Sequence, residues 1–185
     1  GHAGSQALRN PAIARNYAEA LFELSETTGR AEEYAGLIEA VAAAIATSPE
    51  VERVLMSPRV PKTRKVELVG QALKAAPVEF ARFIQAVVKR GRQLYFADIA
   101  QEYGALVDTK FNRLRAAVSL AREPNEALRE SIRVELSRAF GKEVHPTFFV
   151  DPSLLGGTVV KVGDRIFDGS LRRRMASLRR QLLTR

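Results

Sequence analysis

The sequence predicts an α+β chain: an N-terminal six-helix bundle followed by a small α/β sandwich-like C-terminal domain. Three observations predict it. Apolar residues recur at helical spacing to about residue 110, after which the spacing switches to alternation. Proline and glycine cut the first part into short helical segments and later separate short alternating runs. Charge divides at the same place, with 14 Lys+Arg against 13 Asp+Glu over residues 1–110 and 15 against 8 over 111–185, so nearly all of the net +8 lies in the second part. The expected organisation is a disordered terminus or tag remnant at 1–9, a helical bundle over 10–111 and a small basic α+β domain over 112–185.

The first helix follows from NPAIARNYAEALFELSETTG. Asn10 can cap it, Pro11 suits its first turn and Gly29 lies just past its end. Ile13, Tyr17, Leu21 and Leu24 form one stripe, and Ala14, Ala18 and Phe22 a second beside it. Together they are wider than one core contact needs, so the helix is either buried between two neighbours or faces its core on one side and a partner on the other. The second helix carries Leu37, Val41 and Ile45 among many alanines, which allow close approach. Ser48-Pro49-Glu50 starts a third, through Leu55. Pro61 opens a fourth with Val66, Val69 and Leu73 inward. PVEFARFIQAVVKRG gives a fifth with Phe80, Phe83, Ile84, Val87 and Val88 on one face, ended by Gly91. The sixth places Tyr95, Ile99, Tyr103 and Leu106 together.

The second part begins with RLRAAVSLARE, where Leu114, Ala116, Val118 and Leu120 alternate as in a half-buried strand. A helix from Pro124-Asn125 spaces Leu128, Ile132, Leu136 and Phe140 at fours and stops at Gly141. EVHPTFFVDP reads as a strand, and its Pro146 demotes it to an edge or a bulge. A hairpin follows, 158–162 turning at Gly163-Asp164 into 165–167. A closing helix with a Leu171, Met175, Leu178 and Leu182 seam completes a β-α-β-β-β-α order.

Several chemistries are excluded. The absence of cysteine removes disulfides and thiolate metal sites. No apolar run approaches the ~20 residues that cross a bilayer. Gly156, Gly157, Gly163, Asp164, Asp168 and Gly169 are turn residues: Gly156-Gly157 precedes a strand and Gly163 sits in a two-residue hairpin turn, so the phosphate-loop pattern between strand and helix is not met. His145 lacks a partner at catalytic or metal-binding spacing, so neither a cofactor nor catalysis is expected. The arginines of the last helix leave three readings open: a solvated face, a docking surface for an acidic protein, or a nucleic-acid contact. The third lacks interleaved aromatics for base stacking.

LLGGTVVKVGDRIFDGSLRRRM closely resembles the C-terminal signature of the delta (oligomycin-sensitivity-conferring) subunit family of F-type ATP synthases, at Gly156, Gly157, Gly163, Asp164, Asp168, Gly169 and Ser170. IARNYAEALFEL resembles that family's first helix at Ala14, Arg15, Tyr17, Ala18, Ala20, Leu21 and Phe22, and VLMSPRVPKTRKVELV and VVKRGRQLYFADIAQEY its middle segments. Arg173, Met175 and Pro146 depart from the family's usual residues.

The resemblance implies a non-catalytic stator subunit, one per complex. Its helical domain binds amphipathic N-terminal segments of the alpha subunits through the first and fifth helices, and its smaller domain receives the b subunits. Proton-driven rotation is thereby coupled to ATP synthesis. The alpha-binding residues expected on that basis are Ala14, Tyr17, Ala18, Leu21, Phe83, Ile84, Val87 and Val88, and the b-binding residues Arg172, Arg173, Arg179 and Arg180. No nucleic acid is expected, and the membrane only through the complex, on the cytoplasmic face of a bacterial plasma membrane or its organellar equivalent. The alternative is a basic nucleic-acid-binding adaptor.

Overall fold

The structure, a computed structural model, describes residues 10–169. The terminus at 1–9 and the arginine-rich closing helix lie outside the described residues. The chain divides into two compact units between Val107 and Asp108.

Among the described residues the first unit holds six α-helices, as the sequence predicts: α1 Pro11–Thr28, α2 Ala31–Thr47, α3 Pro49–Met56, α4 Lys62–Ala72, α5 Val78–Lys89 and α6 Phe96–Lys110. A short 3-10 turn, Gln93–Tyr95, leads into α6, whose last residues pass the division between the units. Local chemistry sets the ends. The Asn10 side chain accepts a hydrogen bond from the Ala12 amide at 3.0 Å, and Pro11 has no N–H to leave unpaired. Ser48 caps α3 through the Val51 amide at 3.4 Å.

Gly29 closes α1 in the left-handed conformation, φ 67, and the following amide of Arg30 donates to the Ser25 carbonyl at 3.1 Å. A Cβ at Gly29 would meet nothing within 4 Å, so the cost of a side chain there is backbone strain alone. Gly29→Ala is expected to destabilise the chain by about 1–2 kcal/mol. Urea unfolding with an unchanged midpoint would contradict this.

The core of this unit is built from α1, α2, α5 and α6, with Leu21, Ile38, Ile84, Ile99 and Tyr103 all within 1% of full burial. Val66 and Val69 of α4, with Leu73 at its end, pack half-buried against this core as expected, and the fully buried residue of that helix is Lys65. Helix α4 lies at the margin of the core, where a lysine can bury its aliphatic stem; it is tied to α5 by the Gln85 side-chain amide donating to the Val66 carbonyl at 3.1 Å. In α6 Leu106 packs half-buried against the core beside fully buried Val107.

The described residues of the second unit form a four-stranded mixed sheet of β1 Arg113–Leu120, β2 Glu143–Val150, β3 Thr158–Val162 and β4 Arg165–Gly169, with α7 Glu126–Phe140 between β1 and β2. The order is β2-β1-β3-β4; β1 and β2 are parallel, and the other pairs antiparallel. Parallel neighbours need a crossover, and α7 supplies it. Register aligns Phe148, Val118, Val160 and Phe167 in one row across the sheet. That row lies under α7: the Phe140 ring is 6.1 Å from Phe167, and the Arg129 guanidinium is 6.0 Å from the Phe148 ring. Val118, Ile132 and Leu136 are buried between the layers. Leu128, in the first turn of α7, is instead 43% exposed, and Ala139 takes a buried place near the other end.

The edge position predicted from Pro146 is observed, since β2 flanks the sheet. The hairpin turns at Gly163-Asp164 with Gly163 at φ 59, the left-handed value a two-residue turn demands of its first residue when that residue is glycine. Gly156 also takes a left-handed value, φ 84, and the Gly157 amide donates to the Leu154 carbonyl at 2.8 Å, closing the turn before β3. Asp168 and Gly169, expected in a turn, instead continue β4, paired with Val159 and Thr158; β3 reaches back far enough to extend the ladder.

Candidate partner-binding groove

Helices α1 and α5 meet through Tyr17 and Phe83, whose rings pack edge to face with centroids 6.2 Å apart. Tyr17 also lines a recess of about 310 Å³, with Ile13, Asn16, Ala20, Arg90 and Arg92. The start of α1 is fixed by more than its own cap, since the Asn10 amide donates to the Tyr95 hydroxyl at 3.2 Å. The other wall follows from the end of α5. Gly91 takes φ 73; its amide donates to the Val88 carbonyl at 2.9 Å and the Arg92 amide to the Val87 carbonyl at 3.0 Å. This closure sets Arg90 and Arg92 on either side of a tight turn, and the Arg92 guanidinium lies 5.9 Å from the Tyr95 ring.

Of the eight residues expected to contact an alpha segment, the structure leaves only Tyr17 and Phe83 half-exposed. Ala14, Ala18, Leu21, Ile84, Val87 and Val88 are buried in the core, so no docked segment can reach them without unpacking it. The physical reason is the order of the two stripes on α1. Ala14, Ala18, Leu21 and Ser25 face inward, while Ile13, Tyr17 and Leu24 flank them half-buried and Ala20 is exposed. Ile13, Asn16, Ala20, Arg90 and Arg92 were missed as a set. The available signal was the pair of arginines around Gly91, just after a strongly apolar helix.

The expected b-binding arginines, Arg172, Arg173, Arg179 and Arg180, lie outside the described residues. His145 sits on the edge strand with its Nε2 3.2 Å from Glu143. Among the described residues no group of three His, Asp or Glu side chains could hold a metal ion. None of the described helices is long and apolar enough to cross a membrane.

The family model described as the ATP synthase delta (OSCP) subunit matches residues 13–182. The chain belongs to that family. Among curated members, the ATP synthase subunit delta of Gemmatimonas aurantiaca is 42% identical over 176 residues, covering 95% of each chain. That of Desulforamulus reducens is 36% identical over 94% of this chain and 97% of its own. Among solved structures, a chain of the Toxoplasma gondii mitochondrial ATP synthase hexamer superposes with a TM-score of 0.67 at 20% identity, over 92% of this chain and 97% of that one. At that identity the likeness speaks for the fold, which it supports across both units. As a delta/OSCP member the chain is a peripheral-stalk subunit of ATP synthase. It is a structural part of the complex, associated with other ATP synthase subunits and peripheral to the membrane, and it is not the catalytic subunit. The similarities lend nothing to the nucleic-acid alternative.

Proposed function

We propose that the helical unit holds the catalytic head by seating an amphipathic N-terminal segment of an alpha subunit in the α1/α5 groove. The second unit receives the b subunits, so that the head is held still while the rotor turns, on the cytoplasmic face of the membrane. The observation that carries this is the groove itself: half-exposed Ile13 and Tyr17 and exposed Ala20 line it, and Tyr17 packs on half-exposed Phe83 of α5, an apolar surface of the kind an amphipathic helix covers. A stator joint must outlast repeated torque, which calls for slow dissociation and a nanomolar-class Kd, about 12 kcal/mol of binding free energy. Calorimetric titration of the full chain with an alpha N-terminal peptide tests it. Absence of binding at micromolar peptide would remove the groove from consideration.

For the second unit, Arg172, Arg173, Arg179 and Arg180 supply electrostatic attraction to the stalk. Affinity for a C-terminal b-subunit fragment is expected to fall as salt rises from about 0.1 to 1 M, over which the screening length contracts from ~10 to ~3 Å. A dissociation constant indifferent to salt would assign the contact to apolar surface and leave these arginines solvated.

A further inference from the structure

We propose that Arg90 and Arg92 form a carboxylate-recognising rim on the α1/α5 groove, so that its occupant is an amphipathic helix bearing an acidic side chain beside its apolar stripe. This rests on the groove being the docking site argued above and names what that site selects. Apolar surface alone holds a greasy helix without fixing which one, or its register. The molecule offers a contrast: a recess of about 240 Å³ between α2, α3 and α4 is lined wholly by apolar side chains, Leu37, Val41 and Leu73 among them. The α1/α5 groove instead places two guanidinium groups and the Asn16 amide beside Ile13 and Tyr17, with no carboxylate in its lining.

Both arginines are exposed, and among the described residues neither forms an ion pair. Arg15, Arg53, Arg59 and Arg82 of the same unit are likewise without an ion pair among the described residues, so it is their place in the lining of an apolar recess that sets Arg90 and Arg92 apart. The rim is also held in place. The left-handed turn at Gly91 fixes the backbone of Arg92, and Tyr95, under the Arg92 guanidinium, is itself tied to the start of α1. A guanidinium presents a planar fork of donors that matches a carboxylate with two parallel hydrogen bonds, a geometry lysine cannot reproduce. Two neighbouring positive charges repel each other when the groove is empty, and an incoming carboxylate relieves that repulsion. Rim charges act chiefly on encounter rate and partner choice, while the apolar floor supplies residence time.

The test uses the full chain and a synthetic peptide of the alpha N-terminal segment from the same organism. The peptide is made in its native form and with each Glu and Asp replaced by the amide. The native peptide is expected to bind the Arg90→Gln/Arg92→Gln variant roughly tenfold more weakly than the unsubstituted chain, with a flatter salt dependence and a slower association rate. The amide peptide should bind both proteins equally. Arg90→Glu/Arg92→Glu should recover affinity for a peptide whose acids are replaced by lysine. Equal binding of the native peptide to substituted and unsubstituted chains overturns the rim, and so does tight binding of a native segment that carries no carboxylate. Failure of the unsubstituted chain to bind any of the peptides overturns the groove itself, a result distinct from either.

Discussion

Tyr103→Ala is expected to unfold more of this protein than any other single truncation in the helical unit, by about 3–5 kcal/mol. Tyr103 is fully buried in the middle of α6. Its ring meets Phe22 edge to face at 6.4 Å, and its hydroxyl donates to the Ala31 carbonyl at 2.6 Å, bridging α6 to the start of α2. Truncation to alanine removes the ring contacts and the hydrogen bond and leaves a void. Tyr103→Phe separates the terms: the ring stays, and loss of the hydrogen bond to the Ala31 carbonyl alone should cost about 0.5–1.5 kcal/mol. Denaturant unfolding of the two variants checks the order. Equal losses would mean that the hydroxyl carries the whole effect.

The same residue makes a pH prediction with a definite sign. Burial pushes the Tyr103 phenol above its ordinary value of 10.0, an effect that a hydrogen bond with Ser25 partly offsets. The folded state therefore holds this proton more tightly than the unfolded chain. The stabilisation is fully present below the unfolded value and is lost as pH climbs through the raised folded value. Unfolding free energy should begin to fall above about pH 10, and Tyr103→Phe should lack that component of the fall.

Much of this architecture could be read from spacing, because a buried face imposes its period on whatever covers it. The alternation Ala116, Val118, Leu120 is the buried face of β1, and Ile132 and Leu136 are on the buried face of α7. Proline in β2 located a sheet edge because a missing N–H is tolerated only where no neighbour needs it. The site was harder to read. Helix α1 carries two adjacent apolar stripes, and no one-dimensional rule says which turns inward. In the folded chain the small residues Ala14 and Ala18 go inside, where they permit close helix approach, and bulkier Ile13 and Tyr17 are displaced to the flank. Hydrophobicity ranks those positions alike; only the volume available between α1 and α5 separates them. The arginine rim is still less legible, since Arg90 and Arg92 join Ile13 and Tyr17 across more than seventy positions of sequence, through a turn whose significance depends on where α5 ends.

That distinction between stripe and flank gives Tyr17 the largest expected effect on binding. Tyr17→Asp should weaken the alpha-segment complex by about 2–4 kcal/mol, or roughly 30- to 1000-fold, the range of a central aromatic anchor. Truncating the ring removes its apolar contact with Phe83, and an aspartate in its place adds a charge to that apolar contact and competes for the Arg90 and Arg92 guanidinium groups that line the same recess. Because the Tyr17–Phe83 pair also contributes to folding, by about 0.5–1.5 kcal/mol, the variant must be titrated at a temperature where its unfolding curve shows it folded. Tyr17→Ala provides the gentler version, losing the anchor without adding charge. Val88→Ala is the decisive comparison, since the same apolar patterning would assign both residues to one surface. Fully buried Val88 should change the melting temperature and leave the affinity of the folded protein alone, whereas Tyr17 should do the reverse in proportion. If a folded Tyr17 variant binds as well as the unsubstituted chain while Val88→Ala does not, the docked segment reaches the α5 stripe by opening the core, and the groove between α1 and α5 is not where the head is held.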